Sequence, residues 1–190
     1  KDKFIVHLPM KLPLAVKTLS GWDRRGRHVY TQSDLAHLFP ADSPKTLQVS
    51  IDRLIQRGLL SRAARGIYVY EIGQGAGPDT IEYIARAMRR GDYNYVSLES
   101  ALSAYGVISQ IPLDRLTVMT TGRKGAYCTP WGVIELTHTA RRVREILPRM
   151  RNVHRPLPLA TPEAAWSDLK RVGRNTHLVD AEALADVAAR

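Results

Sequence analysis

Five polar residues of types that bind nucleic acid lie close together in the chain: Lys45, Thr46, Gln48, Ser50 and Arg53. A Gln amide pairs with an adenine edge and an Arg guanidinium with a guanine edge, whereas hydroxyl and ammonium groups suit phosphates or base edges. Apolar residues alternate with them at helical spacing: Leu47, Ile51, Leu54 and Ile55. We therefore expect an amphipathic helix that exposes the five polar residues on its N-terminal portion and flank.

Two further groups of cations are candidates for the same surface. Arg62 and Arg65 fall on a predicted hairpin, where a cation that reaches a phosphate or a narrow minor groove adds affinity. Arg24, Arg25 and Arg27 are predicted to extend the basic footprint from a neighbouring loop. A solvated basic face, or a module that docks on another protein, would have the same composition, and both alternatives stay open.

The residue patterns argue against an enzyme. Ser97 is expected to be a helix N-cap, and neither it nor Ser100 is accompanied by a nearby His or a G-x-S-x-G motif. The six histidines show no metal-ligand spacing, and no motif pairs two carboxylates for acid–base catalysis. Cys128 is the only cysteine, which excludes an intramolecular disulfide and a multi-cysteine zinc cluster. We expect no metal and no cofactor.

A third basic cluster lies in the second half of the chain, with Arg at positions 141, 142, 144, 149, 151 and 155. It suits either a DNA backbone or acidic protein partner, or a solvated face, and the sequence does not separate these alternatives. Arg123 and Lys124 lie between two glycines but lack the spacing of a P-loop, which favours a basic turn over a nucleotide site.

The composition favours a polyanionic partner. The chain has 190 residues, with 28 Lys and Arg against 18 Asp and Glu, a net charge of +10. Neutralisation of phosphates by such cations releases condensed counterions. No apolar run approaches the roughly 20 residues needed to span a bilayer, so no membrane partner is expected. The single cysteine suits a reducing compartment, and we predict a cytoplasmic protein.

The N-terminal elements read as a winged helix-turn-helix over residues 1–75. Helices are predicted at 12–19, from Thr31 to Leu38, and from Ser43 to a stop at Gly58. A hairpin follows at 59–62 and 67–70, rich in β-branched and aromatic residues. The Gly-rich stretch 73–78 is expected to be a flexible, exposed linker that marks a domain boundary.

The remaining chain, residues 79–190, is predicted to be an α+β domain. Helices are expected at 79–90, 98–105, 162–169 and 180–189, with strands at 116–121, 126–128 and 133–138. The predicted fold class is therefore α+β, an N-terminal winged helix-turn-helix followed by a mixed α/β C-terminal domain.

Three segments carry a resemblance to a known family: Arg65 to Val69 (RGIYV), Tyr95 to Ile108 (YVSLESALSAYGVI) and Thr120 to Arg123 (TTGR). In their order along the chain they resemble the AbiEi-type antitoxins of bacterial abortive-infection (type IV) toxin–antitoxin systems. The resemblance implies an N-terminal domain that binds inverted repeats in its own promoter and represses it. It also implies a C-terminal domain that counteracts a cognate nucleotidyltransferase-like toxin, with direct contact left open. The alternative is a winged-helix protein-interaction module without sequence-specific DNA binding.

Overall fold

The computed structural model describes residues 10–109 and 114–189. Over these ranges the chain is a mixed α/β protein that divides into two compact units, residues 1–80 and 81–190. Residues 1–9 of the predicted N-terminal domain, which include His7, lie outside the residues that the structure describes. No helix within it is long and apolar enough to cross a membrane.

The first unit contains three helices and a small antiparallel sheet. The helices are α1 (Leu12–Asp23), α2 (Gln32–Leu38) and α3 (Pro44–Gln56). The strands are β1 (Val29–Thr31), β2 (Leu60–Ala64) and β3 (Ile67–Tyr70), in the order β1-β3-β2. The predicted helices and hairpin are confirmed at these positions.

Local sequence sets the helix ends of this unit. The Thr31 hydroxyl accepts the backbone N–H of Asp34 at 3.1 Å, and the Asp34 carboxylate accepts that of Thr31 at 2.8 Å, a capping box that starts α2. The Ser43 hydroxyl accepts the backbone N–H of Thr46 at 3.2 Å at the start of α3, and Pro44 occupies its first turn. Gly58, with φ of +67°, ends the chain's helical path after α3.

The core of the first unit forms where the three helices meet the sheet. Its members are apolar or aromatic and buried, among them Leu19, Leu35, Leu47, Ile51, Leu54, Tyr68 and Tyr70. Burying one such side chain contributes about 1.5–3 kcal/mol, so this cluster holds the orientation of α3 against the hairpin. The buried Tyr70 hydroxyl is satisfied by Ser20, 2.7 Å away.

The second unit is built on a six-stranded mixed sheet of order β6-β7-β5-β4-β9-β8. Its strands are β4 (Asn94–Val96), β5 (Arg115–Thr120), β6 (Gly125–Thr129), β7 (Gly132–His138), β8 (Met150–Arg151) and β9 (Leu159–Ala160). Its helices are α4 (Thr80–Met88), α5 (Leu98–Ala104), α6 (Val143–Ile146), α7 (Pro162–Val172) and α8 (Ala181–Ala188). The strands β5 and β7 are parallel, as are β4 and β9, and the other pairs are antiparallel. The predicted helices and strands are confirmed, whereas β4, β8, β9 and α6 were not predicted.

Candidate nucleic-acid interface

Helix α3 buries one side and exposes the other. Leu47, Ile51 and Leu54 are buried at i, i+4 and i+7. The opposite side exposes Lys45 and Asp52 and half-exposes Gln48, while Val49 is an apolar residue with 57% of its surface accessible. The exposed side therefore combines a cation, an amide, a methyl-bearing side chain and a carboxylate, all suited to contacts in a DNA groove.

Polar contacts connect this side of α3 to both of its neighbours. The Gln32 amide at the start of α2 donates to the Gln48 side-chain oxygen at 3.5 Å, and the Gln48 amide donates to Asp52 at 3.0 Å. Asp52 lies 3.9 Å from the Arg62 guanidinium on β2. These residues, with Lys45, Val49 and Arg65, form one continuous exposed surface, which we name the α3 face.

The hairpin turn at Arg65 and Gly66 adjoins the α3 face. Gly66 adopts φ of +71°, and its carbonyl accepts the backbone N–H of Gln32 at 2.8 Å, which ties the turn to α2. Arg62 lies over the Tyr68 ring, with its guanidinium carbon 5.7 Å from the ring centre. The Arg65 side chain is exposed and forms no ion pair within the described part of the chain. The turn therefore presents a free cation from a fixed backbone.

Two of the five polar residues predicted for the exposed side of α3 point elsewhere. Ser50 is only 1% exposed and donates to the Asp42 carboxylate at 2.9 Å. The Arg53 guanidinium donates to the Met10 carbonyl and to the Ser50 hydroxyl, each at 3.3 Å. The prediction that Ser50 is exposed is wrong, because its hydroxyl connects α3 to Asp42. Arg53 is half-buried and bonded to the Met10 carbonyl, and its contact with DNA stays a prediction. Thr46 is half-buried, and its hydroxyl lies 2.8 Å from that of Ser43.

The basic turn after α1 lies at the other end of the sheet from the hairpin turn. Strand β1 pairs Val29 with Val69 and Thr31 with Ile67, so residues before Val29 and residues beside Gly66 flank opposite strand ends. Arg24 and Arg25 are exposed there. Arg27 forms an ion pair with Asp34 at 2.7 Å, and this partner reduces its availability to a phosphate. The structure thus does not bring this turn together with Arg65.

Internal contacts occupy several carboxylates of the first unit. Asp23 is buried, and Asp34 and Asp42 are half-buried and accept hydrogen bonds from backbone N–H groups. In contrast, Lys45 and Arg65 are exposed and form no ion pair within the described part of the chain. The exposed surface of this unit therefore includes cations without a carboxylate partner, which suit a polyanionic partner.

Residues 73–75 pack against the first unit instead of forming a free linker. The Asp23 carboxylate accepts the backbone N–H of Gln74 at 2.8 Å and that of Gly75 at 3.0 Å. A Cβ at Gly75 would lie 2.7 Å from Asp23 Oδ1 and 2.9 Å from His28 Nδ1, which leaves room only for glycine. Gln74 is exposed as predicted, but the prediction of a free linker is wrong for residues 74 and 75, whose backbone is bonded to Asp23.

Acidic pH is expected to destabilise the first unit through His28. Burial lowers the pKa of His28 from its ordinary value of 6.5, although the Asp23 carboxylate acts in the opposite direction. The folded state therefore favours the neutral ring, so the unfolded chain binds more protons as the pH falls below 6.5. The stabilisation is present above that pH and is lost progressively below it. Urea titrations at neutral and mildly acidic pH measure the change in the free energy of unfolding.

Two variants control that measurement. His28→Gln removes the titrating ring and should flatten the dependence on pH. His37→Gln replaces an exposed ring that contacts only the Ser33 carbonyl in its own helix, and it should keep the wild-type dependence. The assignment to His28 is contradicted if all three proteins show the same slope.

In the second unit, the fully buried carboxylate of Asp168 collects four donors. Arg141 donates to it at 2.6 Å, Arg149 at 3.0 Å, and the hydroxyls of Ser97 and Tyr95 at 2.9 and 3.3 Å. Burial, followed by the Asp168 charge, raises the pKa of Tyr95. Ser97 occupies the N-cap position of α5, but its side chain makes no capping bond. Ser97 is therefore the N-cap residue by position, as predicted, but its hydroxyl bonds to Asp168 instead of to the helix.

Two more buried carboxylates hold arginines in the second unit. Glu82 accepts the Arg155 guanidinium, and Glu99 accepts that of Arg174 at 2.8 Å. Burial raises the pKa of Glu99, but the hydrogen bonds from Arg174, a backbone N–H and Asn175, together with the Arg174 charge, outweigh it and the net pKa is lowered. Arg141, Arg149 and Arg155 of the third basic cluster are thus structural, an arrangement that neither sequence-based alternative included. Arg142, Arg144 and Arg151 remain exposed.

Gln32, Val49 and Asp52 of the α3 face were not among the residues predicted from the sequence. Helical spacing could have identified Val49 and Asp52, because positions 45, 48, 49 and 52 share one side of a helix. Gln32 carried no such signal, since only the fold brings the start of α2 beside α3.

Comparison with known proteins supports the fold and nothing finer. No family model matches the chain, and no curated protein matches it as a relative. The chain is similar in structure to the RV2827C protein from Mycobacterium tuberculosis, with a TM-score of 0.54 and 18% sequence identity. The match covers 96% of this chain and 73% of that one. At this identity the likeness extends to the mixed α/β fold alone.

Proposed function

We propose that the chain is a DNA-binding autorepressor and antitoxin of the AbiEi type, whose first unit is a winged helix-turn-helix. The observation that carries the DNA-binding role is the α3 face, an exposed surface that runs from α2 across α3 to the hairpin. The element order α1-β1-α2-α3-β2-β3 is the one expected of a winged helix, with α3 as the helix that enters the major groove and the hairpin as the wing.

Four side chains of the α3 face have a direct role in this proposal. Lys45, in the first turn of α3, contacts a phosphate at the edge of the major groove. The Gln48 amide reads an adenine edge, and Val49 beside it packs on a thymine methyl group. Arg65 reaches a phosphate or the minor groove from the hairpin turn.

The antitoxin role rests on the resemblance in residues 95–108. This segment forms the end of β4 and all of α5, and it contributes Ser97 and Glu99 to two buried networks of the second unit. Such contacts suit a segment that holds the second unit in shape, while an exposed surface meets a nucleotidyltransferase-like toxin. The proposal includes no catalytic step and no cofactor, and an operator with inverted repeats fits two copies of the chain.

Operator binding tests the proposal. Fluorescence anisotropy would compare the DNA upstream of the coding sequence with a scrambled duplex at two salt concentrations. We expect Gln48→Ala to reduce the preference for the upstream DNA about tenfold, since one amide–adenine pair contributes about 1–3 kcal/mol of discrimination. We expect Lys45→Ala to weaken the binding of both duplexes about equally. The slope of the affinity against salt concentration should fall by about one released counterion.

Matched variants control for helix and charge effects. Gln56→Ala removes an exposed amide about 12 Å further along α3, and Lys17→Ala removes an exposed cation from α1. Both should behave as wild type in operator preference. If wild type and Gln48→Ala bind both duplexes equally and release them together as salt rises, the winged helix is a docking module and the DNA-reading role is wrong.

A further inference from the structure

The second unit contains a basic groove that the proposed function does not use. It lies at the edge of the sheet where the parallel strands β5 and β7 both end, at Thr120 and His138. Its volume is about 700 Å³. Ligands of open α/β sheets bind outside the carboxyl ends of parallel strands, so the location by itself suits a small-molecule site.

The sheet order builds the groove. Strand β7 is inserted between β5 and β6, so the connection from β5 to β6, residues 121–124, must cross the carboxyl end of β7. That connection carries Arg123 and Lys124 over His138. The last turn of α7 supplies Arg171 on the groove lining. Two segments that are distant in sequence, the connection and α7, thus bring three cations to one groove.

Hydrogen bonds hold the backbone of the crossing connection in place. The Gly122 N–H donates to the Thr120 hydroxyl at 3.0 Å, and the Gly122 carbonyl lies 2.9 Å from His138 Nδ1. The Arg89 guanidinium donates to the Arg123 carbonyl at 2.8 Å. A phosphate that bound here would therefore meet a preorganised backbone, which lowers the entropic cost of binding.

The charged side chains of the groove contrast with this fixed backbone. Arg123, Lys124 and Arg171 are exposed and form no ion pair within the described part of the chain. The lining also includes His138 and the hydroxyl-bearing Thr121 and Thr137, and no carboxylate. Asp92 lies against Gly122 but lines a different groove. Donors without acceptors select an anionic ligand rich in acceptor oxygens.

We propose that this groove binds the polyphosphate group of a small ligand. Three cations that converge on one concave site suit the closely spaced charges of a triphosphate. A duplex instead distributes its phosphates along its axis, one about every 3.4 Å per strand, and calls for a stripe of cations. The proposal does not depend on DNA binding by the first unit.

Calorimetry of the 190-residue chain with inorganic triphosphate tests the groove. We expect saturable one-to-one binding that the Arg123→Gln/Lys124→Gln variant weakens at least about tenfold, because a charge-assisted hydrogen bond contributes at least that much to affinity. Arg144→Gln/Arg151→Gln removes the same charge from exposed positions elsewhere in this unit and should bind as wild type. Lys45→Ala/Gln48→Ala should also bind as wild type. Thermal unfolding checks that each variant is folded.

Parallel titrations with ATP identify the source of the phosphates. Equal affinity for ATP and triphosphate would show that the groove recognises the phosphates alone. Tighter binding of ATP would show an additional contact with the nucleoside. Either result supports polyphosphate binding in the groove. Absence of saturable binding overturns the proposal, as does equal weakening by both double variants. Retained triphosphate binding with loss of duplex DNA in the Arg123→Gln/Lys124→Gln variant also overturns it and makes the groove a DNA contact.

Discussion

Gly132→Ala is expected to lower the free energy of unfolding of the second unit by about 3 kcal/mol. Gly132 adopts φ of +117° at the start of β7, a conformation that costs an L side chain about 1–3 kcal/mol. In addition, a Cβ there would overlap the Asp114 carbonyl oxygen, and the Ile81 side chain lies 3.1 Å away. That carbonyl accepts the Val133 N–H at 2.7 Å, so it cannot move without loss of a backbone bond. Urea unfolding monitored by circular dichroism measures the change.

Gly106→Ala separates backbone strain from overlap. Gly106 also has a positive φ, +75°, but a Cβ there meets nothing within 4 Å. We expect Gly106→Ala to lower the free energy of unfolding by about 1 kcal/mol, the usual cost of the left-handed conformation for an L residue. If the two variants are destabilised equally, strain alone explains Gly132 and the overlap with Asp114 is relieved by a backbone shift.

Much of the first unit could be predicted from the sequence because its signals are local. Ser43 before Pro44, the 3.6-residue spacing of Leu47, Ile51 and Leu54, and Gly58 after the helix define α3 from its own residues. The β-branched and aromatic residues from Ile67 to Tyr70 did the same for the hairpin. Such signals do not require knowledge of distant parts of the chain.

The side chains of the candidate site were harder to predict, since their directions depend on residues far away in sequence. Helical spacing places Ser50 and Arg53 on the flank of α3, but hydrogen bonds to Asp42 and Met10 set the directions of their side chains. A polar residue type by itself does not show whether its partner is internal or external. Only the fold distinguishes Arg53, held by the protein, from Arg65, which is free.

The same limit applied more strongly to the second unit. The cations Arg141, Arg149 and Arg155 looked like a surface cluster in the sequence, because their carboxylate partners are 19 to 73 residues away. The basic groove was hidden for a similar reason. Its cations come from residues 123, 124 and 171, which meet only because β7 is inserted between β5 and β6.

Asp168→Asn is expected to destabilise the second unit by about 3 kcal/mol. The carboxylate is fully buried, and its loss leaves the guanidiniums of Arg141 and Arg149 without a counter-charge. Removing one partner of a buried ion pair typically costs 3–5 kcal/mol. We expect the lower end of that range, because the two arginine side chains remain 21% and 22% exposed and keep some hydration. Hydrogen exchange of the amides in β5 and α5 measures the loss within this unit.

Glu163→Gln is the matched control, since it neutralises an exposed carboxylate on the same helix and should change the free energy of unfolding by less than about 0.5 kcal/mol.

The Asp168→Asn variant also tests whether the two proposed roles reside in different units. We expect it to retain operator preference in the anisotropy assay, because the α3 face belongs to the first unit. We expect it to lose rescue of growth when coexpressed with a nucleotidyltransferase-like toxin, if the proposed antitoxin role is correct, because that role needs a folded second unit. Full rescue by an Asp168→Asn protein whose second unit is shown to be unfolded would contradict the assignment of the antitoxin role to that unit.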